Sequence, residues 1–181
     1  MVGRVSVGGW KDGVTRPLPS VAIVLLGGAD REVLTGMANA LVVRENGILL
    51  TPYHAVKNAK TLQVRFKNGE VFDDVKLLGV DARRDIAALK ISAVGLPVVP
   101  FASSSQTKVG EAVVLIGSSY ELPWSVATGT LAAYRMADEL PGAGSGFKLL
   151  QVSAPVASSR SGAAVFDSQG RALGLLVGNV R

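Results

Sequence analysis

No cysteine occurs anywhere in the 181 residues, which excludes disulfide staples and thiolate zinc sites and leaves the redox compartment open. Histidine occurs once, at His54. With one imidazole and no thiol, no metal site and no cofactor is expected. Aromatic residues make up 6% of the chain, too few to supply the stacking platforms of a single-stranded nucleic-acid binder. Long apolar runs are missing as well. Near the N-terminus the longest is Val21–Leu26, far below the roughly 18 residues that a membrane helix needs. The first twenty residues, with Gly8-Gly9-Trp10-Lys11-Asp12-Gly13 and two prolines, hold no apolar core of a secretory signal.

What is present is a core-forming composition. Hydrophobic residues reach 48% against 18% charged, and glycine is frequent at 21, the balance of a turn-rich β protein. Short apolar runs recur at Val21–Leu26, Ala40–Val43, Ile48–Thr51, Leu62–Phe66, Val75–Val80, Ile86–Ile91, Val113–Gly117, Val126–Ala133, Leu149–Val152, Ala163–Phe166 and Ala172–Val177. Glu45-Asn46-Gly47, Lys67-Asn68-Gly69 and Ser168-Gln169-Gly170 separate some of them, and such turns after apolar runs mark hairpins. Helical periodicity is limited to a turn near His54–Ala59 and another around Tyr134–Glu139. The expectation is an all-β chain of eleven or twelve strands in barrels or sandwiches. The net charge of +5 admits an anionic partner. However, its densest stretch, Lys57, Lys60, Arg65 and Lys67, lies on an alternating strand pattern whose polar face explains it, so no nucleic-acid partner is expected. Gly142–Gly146 does not lie between a strand and a helix and reads as a surface loop, not a phosphate cradle.

Three residues stand out together. His54 follows the run Ile48–Thr51, Asp85 opens the run Ile86–Ile91, and Ser161 sits in a small-residue turn before Ala163–Phe166. Taken singly they read as a surface histidine, a loop end and turn chemistry. Their order, His then Asp then Ser on a β background, is that of chymotrypsin-type peptidases and differs from subtilisins and α/β-hydrolases.

The strings around them resemble one family. Asn46 to Val56, reading Asn-Gly-Ile-Leu-Leu-Thr-Pro-Tyr-His-Ala-Val, is similar to the histidine segment of HtrA/Deg-type serine proteases. Gly79–Ile91 resembles their aspartate segment. Val109-Gly110-Glu111, Ile116-Gly117-Ser118 and Val126-Ala127-Thr128-Gly129 resemble the entry to their second barrel. The resemblance covers about Val21 to Gly178. It implies a chymotrypsin-type double six-stranded β-barrel with the triad in the cleft between barrels. The first barrel would span residues 21–92, a connector 93–105 and the second barrel 106–181, with 1–20 as an N-terminal extension. The resemblance also implies that the family's last strand and helix and its peptide-binding PDZ domain fall outside this sequence.

The site implied is His54 as base, Asp85 as its orienting partner and Ser161 as nucleophile, with the backbone N–H groups of Ser159 and Ser161 as oxyanion hole. The substrate pocket would be lined from Ser153–Ala157 and Gly174–Gly178, with Pro155, Val156, Leu175 and Val177 as its apolar contacts. Without an acidic residue there, small or medium aliphatic side chains are expected before the cleaved bond. Polypeptide substrates, a homotrimer and a periplasmic or otherwise extracytoplasmic location follow from the same resemblance. The serine segment departs from it: Ser159-Arg160-Ser161-Gly162-Ala163-Ala164 stands where the family has Gly-Asn-Ser-Gly-Gly-Pro. A side chain at Ser159 strains the left-handed backbone that glycine adopts freely. Two readings therefore stand side by side: an active serine endopeptidase, or an inactive HtrA-like module that binds peptides or proteins in the same cleft.

Overall fold

The computed structural model describes residues 11–28, 34–103, 107–119, 122–155 and 161–178. Among these lie twelve strands in two curled antiparallel sheets. The chain enters through a short helix α1 (Lys11–Thr15) and a 3₁₀ turn (Leu18–Ser20). The first sheet comprises β1 (Val21–Gly27), β2 (Leu34–Arg44), β3 (Ile48–Pro52), β4 (Thr61–Arg65), β5 (Val71–Phe72), β6 (Val75–Asp81) and β7 (Ile86–Ile91), in the order β5-β4-β1-β2-β3-β7-β6. One helical turn, α2 (Tyr53–Val56), separates β3 from β4. The second sheet comprises β8 (Ala112–Ser119), β9 (Leu122–Met136), β10 (Lys148–Ser153), β11 (Ala164–Asp167) and β12 (Ala172–Leu175), in the order β10-β9-β8-β11-β12.

The all-β expectation holds. The strands divide seven and five among the described residues, because β5 is a two-residue return from β4 that its short apolar content does not announce. Gly47, Gly69 and Gly170 take positive φ in the turns anticipated between β2 and β3, β4 and β5, and β11 and β12. The helical turn expected around Tyr134–Glu139 is mostly strand: β9 runs on through Met136, paired with β10, and only Ala137–Glu139 form a 3₁₀ turn.

Three apolar clusters explain why the two sheets hold one another. Ala22, Val24 and Leu26 of β1 meet Ala38, Ala40 and Val42 of β2 inside the first sheet, with Leu49, Leu89 and Ile91. Val113, Leu115, Ala127, Leu131 and Val165 fill the second. Between them Val21 and Leu41 of the first sheet pack against Val114, Ile116, Ala164 and Phe166 of the second. Strand β1 is buried along its whole length, with Ala22, Val24 and Leu26 in the first cluster and Val21 in the intersheet one, so it reads as a continuous apolar run instead of alternating. Strand β7 serves one cluster and alternates, with Ala87, Leu89 and Ile91 inward. Each fully buried Val or Leu contributes about 1.5–3 kcal/mol, so the intersheet cluster resists any shift of one sheet against the other.

Further ties cross between the units. Val14 and Leu18 pack on the intersheet cluster, and the connector is pinned to β12, with Ala102 N–H donating to the Ala172 carbonyl at 2.8 Å. The Trp124 indole N–H of β9 donates to the Val21 carbonyl of β1 at 3.2 Å. The glycine-rich loop is seated against the first sheet: the Arg83 and Arg84 guanidiniums lie 5.9 and 5.5 Å from the Phe147 ring centre.

Candidate active site

Strand pairing alone brings His54 and Asp85 together. Pro52 of β3 pairs with Ile86 of β7, so the residue before β7 and the turn after β3 emerge side by side. The first N–H groups of a helical turn have no partner within the turn, and Asp85 supplies partners for two. Its backbone carbonyl accepts from Tyr53 N–H at 3.0 Å, and its Oδ1 accepts from His54 N–H at 2.7 Å. Asp85 thus caps α2 from a distant strand. It does so with φ of +57°, a left-handed conformation that aspartate tolerates better than most side chains.

The second carboxylate oxygen of Asp85, Oδ2, meets His54 Nδ1. On the far side of the ring, His54 Nε2 lies 3.0 Å from Ser161 Oγ. An acceptor carboxylate at Nδ1 holds the proton there and leaves Nε2 as the acceptor for the serine hydroxyl. The His54 side chain is 47% exposed and that of Asp85 27%, so the ring is open to an incoming molecule while its carboxylate is more sheltered. In chemical terms this is a hydroxyl, a base and an orienting anion in a row.

Ser161 arrives from the other sheet, on the turn between β10 and β11. Gly162 has φ of +79°, and a Cβ there would stand 2.2 Å from the Asn39 carbonyl oxygen and 2.7 Å from Pro52 Cδ. Only glycine fits. The peptide unit joining Ser161 to Gly162 is held at both ends: the Ser161 carbonyl accepts from Asn39 N–H at 3.0 Å and from Asn39 Nδ2 at 2.9 Å, and Gly162 N–H donates to the Leu176 carbonyl at 2.8 Å. At about 0.5–1.5 kcal/mol for each hydrogen bond, three of them resist rotation of the peptide that carries the hydroxyl.

The sequence reasoning missed Asn39. Its signal is a polar residue in the apolar stretch Ala38-Asn39-Ala40-Leu41-Val42, 1% exposed, since a buried amide demands partners. Of the other expected residues, Ser159 and Val156 lie outside the described residues. Pro155 is exposed just after β10, and Val177 is half-buried beyond the end of β12. Leu175 packs against the intersheet cluster. A cleft of about 340 Å³ beside the His54 turn is lined by other residues, among them Tyr53, Lys57, Lys60, Asp73 and Asp74. Among the described residues no group of three or more His, Asp or Glu side chains is placed to hold a metal ion, and no helix is long and apolar enough to cross a membrane.

Comparison with known proteins places this geometry in context. Residues 38–175 match the model of the trypsin-like peptidase domain. The chain is 34% identical over 147 residues to "Serine protease HTRA1" of Xenopus laevis, covering 80% of this chain and 32% of that protein. It is 31% identical over 147 residues to "Serine endoprotease DegS" of Haemophilus influenzae, covering 81% of this chain and 42% of that protein. The chain thus spans less than half the length of these relatives. Among solved structures, the serine endoprotease from Yersinia pestis superposes with a TM-score of 0.79 at 24% identity, over 96% of this chain and 58% of that one. The HtrA-type protease AlgW with tripeptide gives 0.83 at 24% identity, over 92% and 53%. Both likenesses bear on the fold, which is the chymotrypsin-type double β-barrel. With the matched residues extending from β2 to the end of β12, the chain belongs to the trypsin-like peptidase domain family, and within it resembles the HtrA-type serine proteases.

Proposed function

We propose that this chain is the peptidase domain of an HtrA-type serine endopeptidase that cleaves unfolded or misfolded polypeptides. The observation that carries the reading is the row of Asp85 Oδ2, His54 Nδ1, His54 Nε2 and Ser161 Oγ, with the last two 3.0 Å apart. In this reading His54 Nε2 takes the Ser161 hydroxyl proton as Oγ attacks the peptide carbonyl carbon. The carbonyl π pair moves to oxygen, and the backbone N–H groups of Ser159 and Ser161 stabilise that oxyanion. Collapse expels the amine, which receives the proton from His54, and leaves an acyl-enzyme on Ser161. Water, deprotonated by His54, then releases the acid. Asp85 keeps the imidazole in the tautomer that accepts at Nε2 and stabilises the imidazolium.

Residues 153–155 and 174–178 contain no acidic side chain, which supports a preference for Val, Leu or Ala before the cleaved bond. A homotrimer and an extracytoplasmic, periplasmic setting belong to the same reading, and the setting is supported by a relative named "Probable periplasmic serine endoprotease DegP-like". The second reading, an inactive peptide- or protein-binding module, is favoured by Ser159-Arg160 in the sequence just before Ser161. Casein cleavage by wild type, Ser161→Ala and Ser159→Gly separates the two. Because the side chain at Ser159 strains the backbone that aims its N–H at the oxyanion, the active reading expects slow wild-type turnover, none in Ser161→Ala, and a rise of about tenfold or more in Ser159→Gly as that strain is relieved. An inert wild type that Ser159→Gly does not rescue supports the binding module instead.

A further inference from the structure

Asn39 lies on β2, with its backbone facing the nucleophile turn of the other sheet. Its amide is oriented by two partners that cannot be exchanged. Oδ1 accepts from Ser118 N–H of β8 at 2.5 Å, so Nδ2 must be the group that faces the Ser161 carbonyl, at 2.9 Å. Its own carbonyl accepts from Thr51 Oγ1 at 2.8 Å, one residue before the strand end that leads to His54. One buried residue therefore joins the strand before the histidine, the strand β8 and the carbonyl of the serine. Its partners Thr51, Ser118 and Ser161 are uncharged, so its grip is independent of pH. The space around it is tight: a Cβ on Gly117 would come within 3.1 Å of Asn39 Cγ and 2.8 Å of Ala163 Cβ.

We propose that Asn39 is the positioning residue for the Ser161 hydroxyl: by holding the Ser161 carbonyl with both its backbone N–H and its amide, it fixes the peptide plane from which Oγ reaches His54 Nε2. This rests on the peptidase reading of the site. Asn39 touches no reacting atom. The peptide's other two bonds, from Asn39 N–H and from Gly162 N–H to the Leu176 carbonyl, leave one lone pair of the Ser161 carbonyl open, and the side-chain bond occupies it and adds the third restraint on the peptide plane. Without it the hydroxyl swings off the line to Nε2, and displacements near 1 Å cost on the order of 100-fold in rate.

The test uses Asn39→Asp, nearly isosteric, with Asn39→Ala as a second variant. In Asn39→Asp the ionised carboxylate still accepts from Ser118 N–H but cannot donate to the Ser161 carbonyl. Once protonated it donates again, and burial raises the pH at which this happens. Three quantities are measured on the intact chain: circular dichroism for folding, the rate of fluorophosphonate labelling, and the ¹⁵N resonance of His54 Nε2, which is unambiguous because His54 is the sole histidine. At pH 8 labelling should fall about 10- to 100-fold in folded Asn39→Asp and in Asn39→Ala, and the Nε2 resonance should move toward its position in Ser161→Ala. The labelling ratio of Asn39→Asp to wild type should recover as pH is lowered, whereas that of Asn39→Ala should stay flat. Folded variants that label at the wild-type rate with an unmoved Nε2 resonance overturn the proposal. Unfolding of both variants at pH 8 also overturns it, by showing that Asn39 serves stability instead. A wild type that does not label refutes the peptidase reading, and the Nε2 comparison, which needs no turnover, still decides the role of Asn39.

Discussion

His54 and Asp85 stand on one sheet, at adjoining ends of the paired strands β3 and β7, whereas Ser161 reaches them from the other sheet on a turn of small residues. The first pair is assembled by local pairing: once Pro52 meets Ile86, Asp85 can cap α2 and grip the ring at the same time. The serine has no such local device. Its carbonyl is held by Asn39, 122 residues away in sequence, and its turn fits only because Gly162 carries no side chain. One half of the site is therefore set by secondary structure, and the other half depends on how the two sheets meet.

That contrast can be broken at each half. The largest effect is expected at Asp85→Asn. The amide can still accept from His54 N–H and keep α2 capped, but it presents a donor to Nδ1 and reverses the tautomer, so kcat should fall about 10⁴-fold with little change in melting temperature. Steady-state kinetics beside a thermal melt checks this. A large loss of stability would show that Asp85 serves the cap more than the ring.

A smaller effect on rate, joined to a loss of stability, is expected at Gly162→Ala. Its φ of +79° costs an L-residue about 1–2 kcal/mol, and the 2.2 Å approach to the Asn39 carbonyl adds to that. The melting temperature should drop by at least about 4 °C and phosphonate labelling by about tenfold or more. Gly69→Ala supplies the control and the smallest effect. Gly69 has φ of +96° but nothing within 4 Å of an added Cβ, so it should lose only the conformational term, about 1–2 kcal/mol, with turnover unchanged. Equal loss of activity in the two variants would contradict the assignment of Gly162 to the nucleophile turn.

The same division governs what could be read from the sequence. His54 and Asp85 were legible because each sits at the end of an apolar run whose strand character is plain. The hairpin turns were legible through Asn46-Gly47 and Asn68-Gly69. Strand β5 was not, since two residues leave no periodicity. The end of β9 was misread because Tyr134-Arg135-Met136 offers no alternation, and its pairing with Lys148–Leu150 decides its state. Asn39 escaped notice because its meaning lies in contacts with Ser161 and Ser118, which no local window contains.

The central claim, that the hydroxyl facing His54 is the nucleophile, is tested most directly by locating a covalent adduct. The protein is treated with a fluorophosphonate, digested, and mapped by mass spectrometry across the serine-rich stretch of sequence that holds Ser158, Ser159 and Ser161. A single adduct on Ser161, absent when the protein is labelled as Asp85→Asn, is the predicted result. An adduct on Ser158 or Ser159, or labelling of Ser161 that is indifferent to Asp85, would contradict it.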